Sequence, residues 1–251
     1  MIGSVRGLQD GIRGLRRAGC GLLFPPRCVH CDADLFDTLS GPCLCAECLT
    51  RCGPEQWYGC PRCGAPVSDE NYSFDDCPGC CKTKLWFDTV LVLGGYHSGL
   101  RDAVLRMKRP SHDPLSLALG QLLWERRRDH LSEIRADVIV PVPMYWRRRL
   151  QRGKNNPETL ASCLARALGV SMLRGVLVRQ LNTKPQAGLS PASRFRNVRG
   201  AFRVRRPDGI RDARILLIDD VLTTGATCSE AAKTLKRAGA AMVAVAVVAR
   251  A

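Results

Sequence analysis

The chain has 251 residues, 38 Lys and Arg against 23 Asp and Glu, a formal net charge of +15 and 14 cysteines. With 45% hydrophobic residues, 24% charged residues and a mean hydropathy of -0.10, neither a wholly disordered chain nor a membrane-embedded one fits. The longest apolar run, 238–249, is too short to span a bilayer and contains Gly239.

Residues 1–24 carry Val5, Leu8, Ile12 and Leu15 at helical spacing, which predicts an amphipathic helix docked on the protein or a partner. A membrane-surface role is the weaker alternative. Arg6, Asp10, Arg13, Arg16 and Arg17 interrupt the apolar core that a secretory signal needs, so the expected location is cytoplasmic. In that reducing compartment, clustered cysteines read as metal thiolates rather than disulfides.

Residues 25–84 contain four C-x-x-C pairs: Cys28/Cys31, Cys45/Cys48, Cys60/Cys63 and Cys77/Cys80. Thirteen residues separate the first pair from the second and the third from the fourth, so the pattern repeats with an offset of 32. Each pair offers two sulfurs from one tight turn, and Pro61, Gly64, Pro78 and Gly79 suit such turns. The duplication predicts two closed four-cysteine sites of the kind that structural Zn2+ occupies. Pairing within each repeat is simplest, and a cross-braced arrangement stays open. Cys43, Cys52 and Cys81 are neighbouring alternates, and His30 is a candidate replacement ligand. Cys20, Cys163 and Cys228 fit no metal spacing and read as small buried residues. With few large aliphatics, the 25–84 segment should draw much of its stability from metal.

The charge is divided unevenly. The three regions 1–24, 25–84 and 85–251 carry +3, -4 and +16. Two Zn2+ on eight thiolates would take the ribbons to about -8. A polyanion belongs on 85–251.

That region predicts strands over 86–96, 137–143, 176–179, 202–205, 214–218 and 242–248. Between them fall helices over 98–108, 114–131, 156–168, a short one from Ser190-Pro191, and 227–238. The alternation implies an α/β domain with a mainly parallel sheet, whose ligands bind at the carboxyl ends of the strands. The loops after Val142 and Ile218 are the places for chemistry. His97, His112 and His130 have no motif around them and read as surface or cap residues.

The most informative stretch runs from Ile215 to Thr227. An apolar strand ends in Asp219 and Asp220, and the turn Thr223-Thr224-Gly225-Ala226-Thr227 leads into a helix. Such a turn aims backbone N–H groups at one point and favours an anion there. The carboxylates need a partner that donates hydrogen bonds, and vicinal sugar hydroxyls provide it. A phosphorylated ribose suits the whole set. No G-x-x-x-x-G-K-[ST] occurs, which removes a P-loop nucleotidase.

This stretch resembles the phosphoribosyl pyrophosphate (PRPP) signature of type I phosphoribosyltransferases, and the chain from Phe24 to Arg250 resembles the ComF family. Further matching residues are Tyr96, Gly99-Leu100, Met107-Lys108, Val140-Pro141-Val142-Pro143, Arg149 and Arg152-Gly153. Later ones are Arg179, Thr183, Gln186, Leu189-Ser190, Arg194, Arg196-Asn197-Val198 and Ala201-Phe202. The resemblance implies a double zinc ribbon joined to a phosphoribosyltransferase domain. It implies that Asp219 and Asp220 hold the ribose hydroxyls and that residues 223–227 hold the 5′-phosphate, with Mg2+ accompanying PRPP. By the same resemblance Arg147, Arg148, Arg149, Arg152, Lys154 and Arg194 would meet pyrophosphate or a nucleic-acid phosphate, and 182–197 would form a mobile loop. Where the family usually reads Arg-Gly-Phe-Asn-Gln, this chain has Arg152-Gly153-Lys154-Asn155-Asn156, so a base contact from that Phe or Gln does not carry over. Purine-salvage relatives have an acid where Thr223 stands, which argues against 6-oxopurine salvage.

Two functions follow as expectations. One is a PRPP-dependent transferase of unknown acceptor. The other is a single-stranded DNA-binding protein that reuses the phosphate site, with Tyr145 and Trp146 stacking beside the Arg run. The family is associated with DNA uptake during natural transformation, which makes competence-machinery proteins candidate partners.

Overall fold

The computed structural model describes residues 26–35, 41–67, 77–109, 113–186 and 188–251. The expected N-terminal helix, Cys20 and His112 lie outside them. Five parallel strands form the central sheet: β1 (Thr89–Gly95), β2 (Val138–Pro141), β3 (Ser171–Met172), β6 (Arg214–Leu222) and β7 (Met242–Arg250), in the order β1-β7-β6-β2-β3. β4 (Leu177–Arg179) and β5 (Phe202–Val204) pair antiparallel in a separate hairpin. The helices are α1 (Ala46–Cys52), α2 (Ser98–Met107), α3 (Asp113–Glu133), α4 (Trp146–Arg152), α5 (Asn156–Leu168), α6 (Pro191–Val198) and α7 (Ala226–Arg237). None is long and apolar enough to cross a membrane.

β6 and β7 lie inside the sheet and are covered on both faces, which is why their apolar runs are continuous rather than alternating with polar residues. Leu216, Ile218, Ala244 and Ala246 join one core cluster with α2, α3 and α5, and Ile215, Leu217, Val243 and Val245 join the other with α7. The split follows the two-residue period of a strand.

Two expectations are corrected. The strand expected to end at Ile218 continues to Leu222, because β7 keeps pairing beyond the end of β2: Asp219 sits opposite Val247, and Val221 opposite Ala249. The Arg-rich segment after Pro143, expected as a loop, is helix α4, closed by Gly153 at φ 72°. Its Arg, Leu and Gln are good helix formers, and a left-handed glycine is a usual helix end.

The ribbons do not stand apart from the α/β core. Cys28, Cys48 and Cys52 are buried in the same cluster as Leu93, Leu100, Leu119 and Leu122. In the second ribbon, the Pro61 carbonyl accepts from Val90 N–H and Thr89 Oγ1, both at 2.9 Å, and so covers the open edge of β1. Arg127 completes the joint. Its buried guanidinium donates to the carbonyls of Val92 and Leu93 in β1 and of Pro54 and Glu55 between the ribbons.

Candidate functional site

The sulfurs fall into two groups, Cys28/Cys31/Cys45/Cys48 and Cys60/Cys63/Cys77/Cys80, with the ligand atoms of each within 4.8 Å of one another. Pairing is therefore sequential, and the cross-braced alternative is excluded. Four sulfurs at Zn–S distances of about 2.3 Å have tetrahedral edges of about 3.8 Å. The observed edges are 3.6 Å for Cys31–Cys45, 3.8 Å for Cys60–Cys80 and 3.7 Å for Cys63–Cys77. Both groups fit zinc, and these separations are far beyond a disulfide bond.

Thiol chemistry agrees. Burial works to raise the pKa of Cys28, but backbone N–H groups of Cys31, Cys45 and His30 outweigh it and bring it to about 7. Burial pushes Cys63 up to about 11 and Cys48 and Cys80 higher still. Four ionised thiols need a cation among them. Cys43 and Cys81 are exposed, Cys52 is buried beside α2, and none of the three joins a group. His30 stands behind the first site with Nδ1 3.2 Å from Cys48 Sγ. Burial, then the charges of Arg106 and Arg51, lower its pKa, and the ring lies outside the four-cysteine group, beside its sulfur.

Asp219 and Asp220 stand near the carboxyl end of β6, beyond the end of β2, where β7 still pairs through Val221 and Leu222. Asp219 Oδ1 accepts from the Asp220 N–H at 2.9 Å, and Lys108 Nζ reaches Asp220 Oδ2 at 3.2 Å from the end of α2. Burial, with the Asp220 charge beside it, raises the Asp219 carboxyl to about 7. Cys228, on the first turn of α7, points its thiol at Asp219 Oδ2 (3.6 Å). The chain then turns through Thr223, Thr224 and Gly225, the last at φ 77°, into the N-terminus of α7. The Thr224 hydroxyl is buried without a partner, and Thr227 Oγ1 accepts from Gln186 Nε2 at 2.6 Å.

Gln186 thus meets this turn, and the residues just before it are tied down at several points. Arg148 donates to the Thr183 carbonyl (2.6 Å), Arg179 to Thr183 Oγ1 (2.5 Å) and Asn197 to the Lys184 carbonyl (3.0 Å). Ser190 caps α6 by accepting from Ser193 N–H. The expected basic residues are not all in one place. Arg147 lies over the Trp146 ring and Arg149 forks onto Glu158, while Lys154 pairs with Asp113 at 2.9 Å. Arg194 lines a cavity with Thr223, Thr224 and Gly225. The side chain of Arg152 lies outside the described residues. His97 precedes α2 as its cap residue, and His130 is on α3.

A phosphoribosyl transferase domain model matches residues 148–251. Competence protein F of Haemophilus influenzae is 30% identical over 85% of this chain and 92% of its own length. The chain belongs to the ComF family. DNA utilization protein YhgH of Salmonella typhimurium is 31% identical, over 89% of this ComF chain and 96% of its own, and competence protein ComFC of Bacillus subtilis is 23% identical, over 85% and 90%. The solved allosteric regulatory enzyme of purine biosynthesis overlays 53% of this chain at 22% identity and a TM-score of 0.36, and this ComF chain spans 25% of that enzyme.

Sequence reasoning gave Lys108, Arg179 and Gln186 no role, although it matched them to the family. Lys108 meets Asp220 across 112 positions of chain. No spacing rule links them.

Proposed function

We propose that this ComF chain binds PRPP, or another ribose-5-phosphate group, with Mg2+ and transfers the phosphoribosyl group to an acceptor, in a role tied to DNA uptake. The observation that carries it is the pair Asp219/Asp220 near the end of β6, followed after Val221 and Leu222 by a turn with Gly225 at positive φ at a helix N-terminus, where the Thr224 hydroxyl is buried with no partner among the described residues. The DNA link draws on the names of the relatives in the same family.

In this reading the N–H groups and hydroxyls of 223–227 hold the 5′-phosphate, and Asp219 and Asp220 accept from the ribose hydroxyls. A phosphate on the turn takes the Thr227 hydroxyl from Gln186, which frees the segment around Gln186, part of the 182–197 loop implied by the resemblance, to close over the reacting carbon. The same carboxylates would also offer oxygens to Mg2+ beside the bound sugar. The ion supplies neutralisation of the charge that develops on the leaving pyrophosphate. Arg147 and Arg148 add positive charge beside the end of β2. Lys108 balances Asp220 so that the carboxylates can approach an anionic substrate.

The test is thermal unfolding with and without PRPP and Mg2+. At 100 times Kd, ligand stabilises the native state by about 2.7 kcal/mol, or roughly 5–11 °C at this size. No shift for the wild type, or an equal shift for the Asp219→Asn/Asp220→Asn protein, sinks the reading.

A second reading has its own observation. A cavity of about 460 Å³ beside the end of β2 is lined by Trp146, Arg179, Arg203 and Arg205, and Trp146 is 54% exposed with Arg147 5.2 Å from its ring centre. Aromatic and cationic groups so arranged suit single-stranded DNA. Its affinity should fall with salt, with a slope of about -0.7 per phosphate contacted. Affinity indifferent to salt counts against it. Competition by PRPP would mean that the two ligands share one site.

A further inference from the structure

The two four-cysteine groups share their spacing but not their exposure. In the second, all four cysteines are buried. In the first, Cys28 and Cys48 are buried in the main core, Cys45 is half-buried and Cys31 is exposed. We propose that Cys31 and Cys45 form an oxidative modification site, which peroxide converts to a disulfide, and that the change reaches Asp220 through α2. The disulfide and the link to α2 stand apart from the PRPP reading above, and the effect on PRPP affinity rests on it.

The exposed edge of the first group is the one that can close. Cys31 Sγ and Cys45 Sγ come from different C-x-x-C turns and are 3.6 Å apart, about 1.6 Å beyond a bonded S–S length of about 2.0 Å. Bound Zn2+ keeps all four sulfurs as thiolates, the nucleophilic form, so reactivity follows access. The second group has nearly the same edges, but Ala65, Val67 and Leu85 pack against its buried sulfurs. Cys43 is exposed too, yet it lies outside the group.

In the reaction, the Cys31 thiolate attacks one peroxide oxygen. An S–O bond forms, the O–O bond breaks, and the hydroxide that leaves takes a proton to become water. The Cys45 thiolate then attacks the sulfenic sulfur, forming the S–S bond as the S–O bond breaks, and a second hydroxide leaves and is protonated. Two thiolates give up two electrons, and one peroxide becomes two waters. Cys28 and Cys48 remain as two ligands where a closed site needs four, and the metal is released.

The first ribbon grips α2 at both ends. Cys52, the last residue of α1, points its thiol at the Gly99 carbonyl (3.8 Å), and a Cβ on Gly99 would lie 2.7 Å from Arg51 Cβ. At the other end the carbonyl of His30, inside the first C-x-x-C turn, accepts from Arg106 Nη1 at 2.6 Å. Lys108, two residues further on, pairs with Asp220. Opening of the first site frees the 28–31 turn. Arg106 then loses its acceptor, and Lys108 its fixed place beside Asp220.

The experiment treats the full-length zinc-loaded protein with hydrogen peroxide. A chromogenic chelator follows zinc, peptide mass spectrometry maps disulfides, and hydrogen exchange reports on α2. One Zn2+ per chain should leave while the other stays, with Cys31 joined to Cys45 and the second group reduced. Dithiothreitol with added Zn2+ should reverse the change. Exchange in the last turn of α2 should rise at least tenfold. PRPP affinity should fall at least fivefold, the lower end of usual coupling between sites. Cys31→His keeps a zinc ligand but leaves Cys45 without a disulfide partner, so it should slow release at least tenfold. Zinc content and melting temperature report whether this variant is loaded and folded, and if it is not, the wild-type disulfide map decides. Cys43→Ser should change neither the disulfide nor the rate. Equal release from both groups, release without a Cys31–Cys45 disulfide, or undiminished release from zinc-loaded Cys31→His protein overturns the modification site. Oxidation that leaves α2 exchange unchanged overturns the link to Asp220. A reduced protein that never binds PRPP overturns the PRPP reading alone, and zinc release and exchange still decide the switch.

Discussion

Arg127 is a buried cation with no ion-pair partner among the described residues, and the sign of its contribution is open to a direct test. Burying a guanidinium without an anion is costly, and burial does lower its pKa. Against that cost stand bonds to Val92 O (3.0 Å), Leu93 O (2.9 Å), Glu55 O (3.0 Å), Pro54 O (3.4 Å) and Arg126 O (2.9 Å). Arg127→Met keeps the apolar stem but strips those carbonyls of their donor. Hydrogen bonds to a charged group contribute about 1.5–3 kcal/mol each, and water entering the adjoining cavity of about 490 Å³ restores part of the loss. A net destabilisation of about 3 kcal/mol is expected, or roughly 6–12 °C in melting temperature. Arg126, one residue earlier and partly buried, makes a single pair at 3.4 Å with the exposed Glu55 and leaves its Nε without a partner among the described residues, so Arg126→Met should cost less than about 0.5 kcal/mol. Thermal unfolding of the two variants decides the matter. An Arg127→Met protein as stable as the wild type, or more so, would show that desolvation outweighs the carbonyl bonds and would refute the reasoning.

Three further outcomes are expected. Asp219 holds its proton up to about 7 when folded against 3.8 when free, so the ligand-free protein should lose stability as pH rises from 3.8 to about 7. Asp220→Asn removes the neighbouring charge and should flatten that loss in a melting series over this range; coincident profiles would contradict it. Gly225→Ala meets both a positive φ and Leu85, and should cost about 1–2 kcal/mol and weaken PRPP at least tenfold. The control Gly169→Ala, at φ 69° with nothing within 4 Å, should cost similar stability and leave PRPP affinity intact, as calorimetry will report. Mercurial displacement of the thiolates, read with a chromogenic chelator, should release two Zn2+ per chain from the two four-cysteine groups. One or none would contradict the duplicated site.

The cysteine spacing and the apolar strand before Asp219 were legible because both are local signals: a turn length in one case, a strand-to-helix junction in the other. Helices α2 and α5 were readable for the same reason, with boundaries matching the expectation within a residue. The joint between ribbon and sheet was not legible. The 25–84 segment has few large aliphatics, which suggested a module drawing much of its stability from metal, yet Cys28, Cys48 and Cys52 borrow their core from α2 and α3. The extension of β6 to Leu222 depends on β7, a partner that nothing within 214–222 announces. The Arg run stands out in sequence for its charge, which masks good helix formers and the closing Gly153. Where those charges go is also non-local: Glu158 takes Arg149, and Asp113 takes Lys154.

The central claim is that Asp219, Asp220 and the 223–227 turn form one phosphoribosyl site. Its most direct measurement is isothermal titration of PRPP and Mg2+ into the zinc-loaded wild type and the Asp219→Asn/Asp220→Asn protein. Saturable one-to-one binding by the wild type, weakened at least tenfold in the variant, is the predicted result. No binding by the wild type, or equal binding by both proteins, would contradict the account.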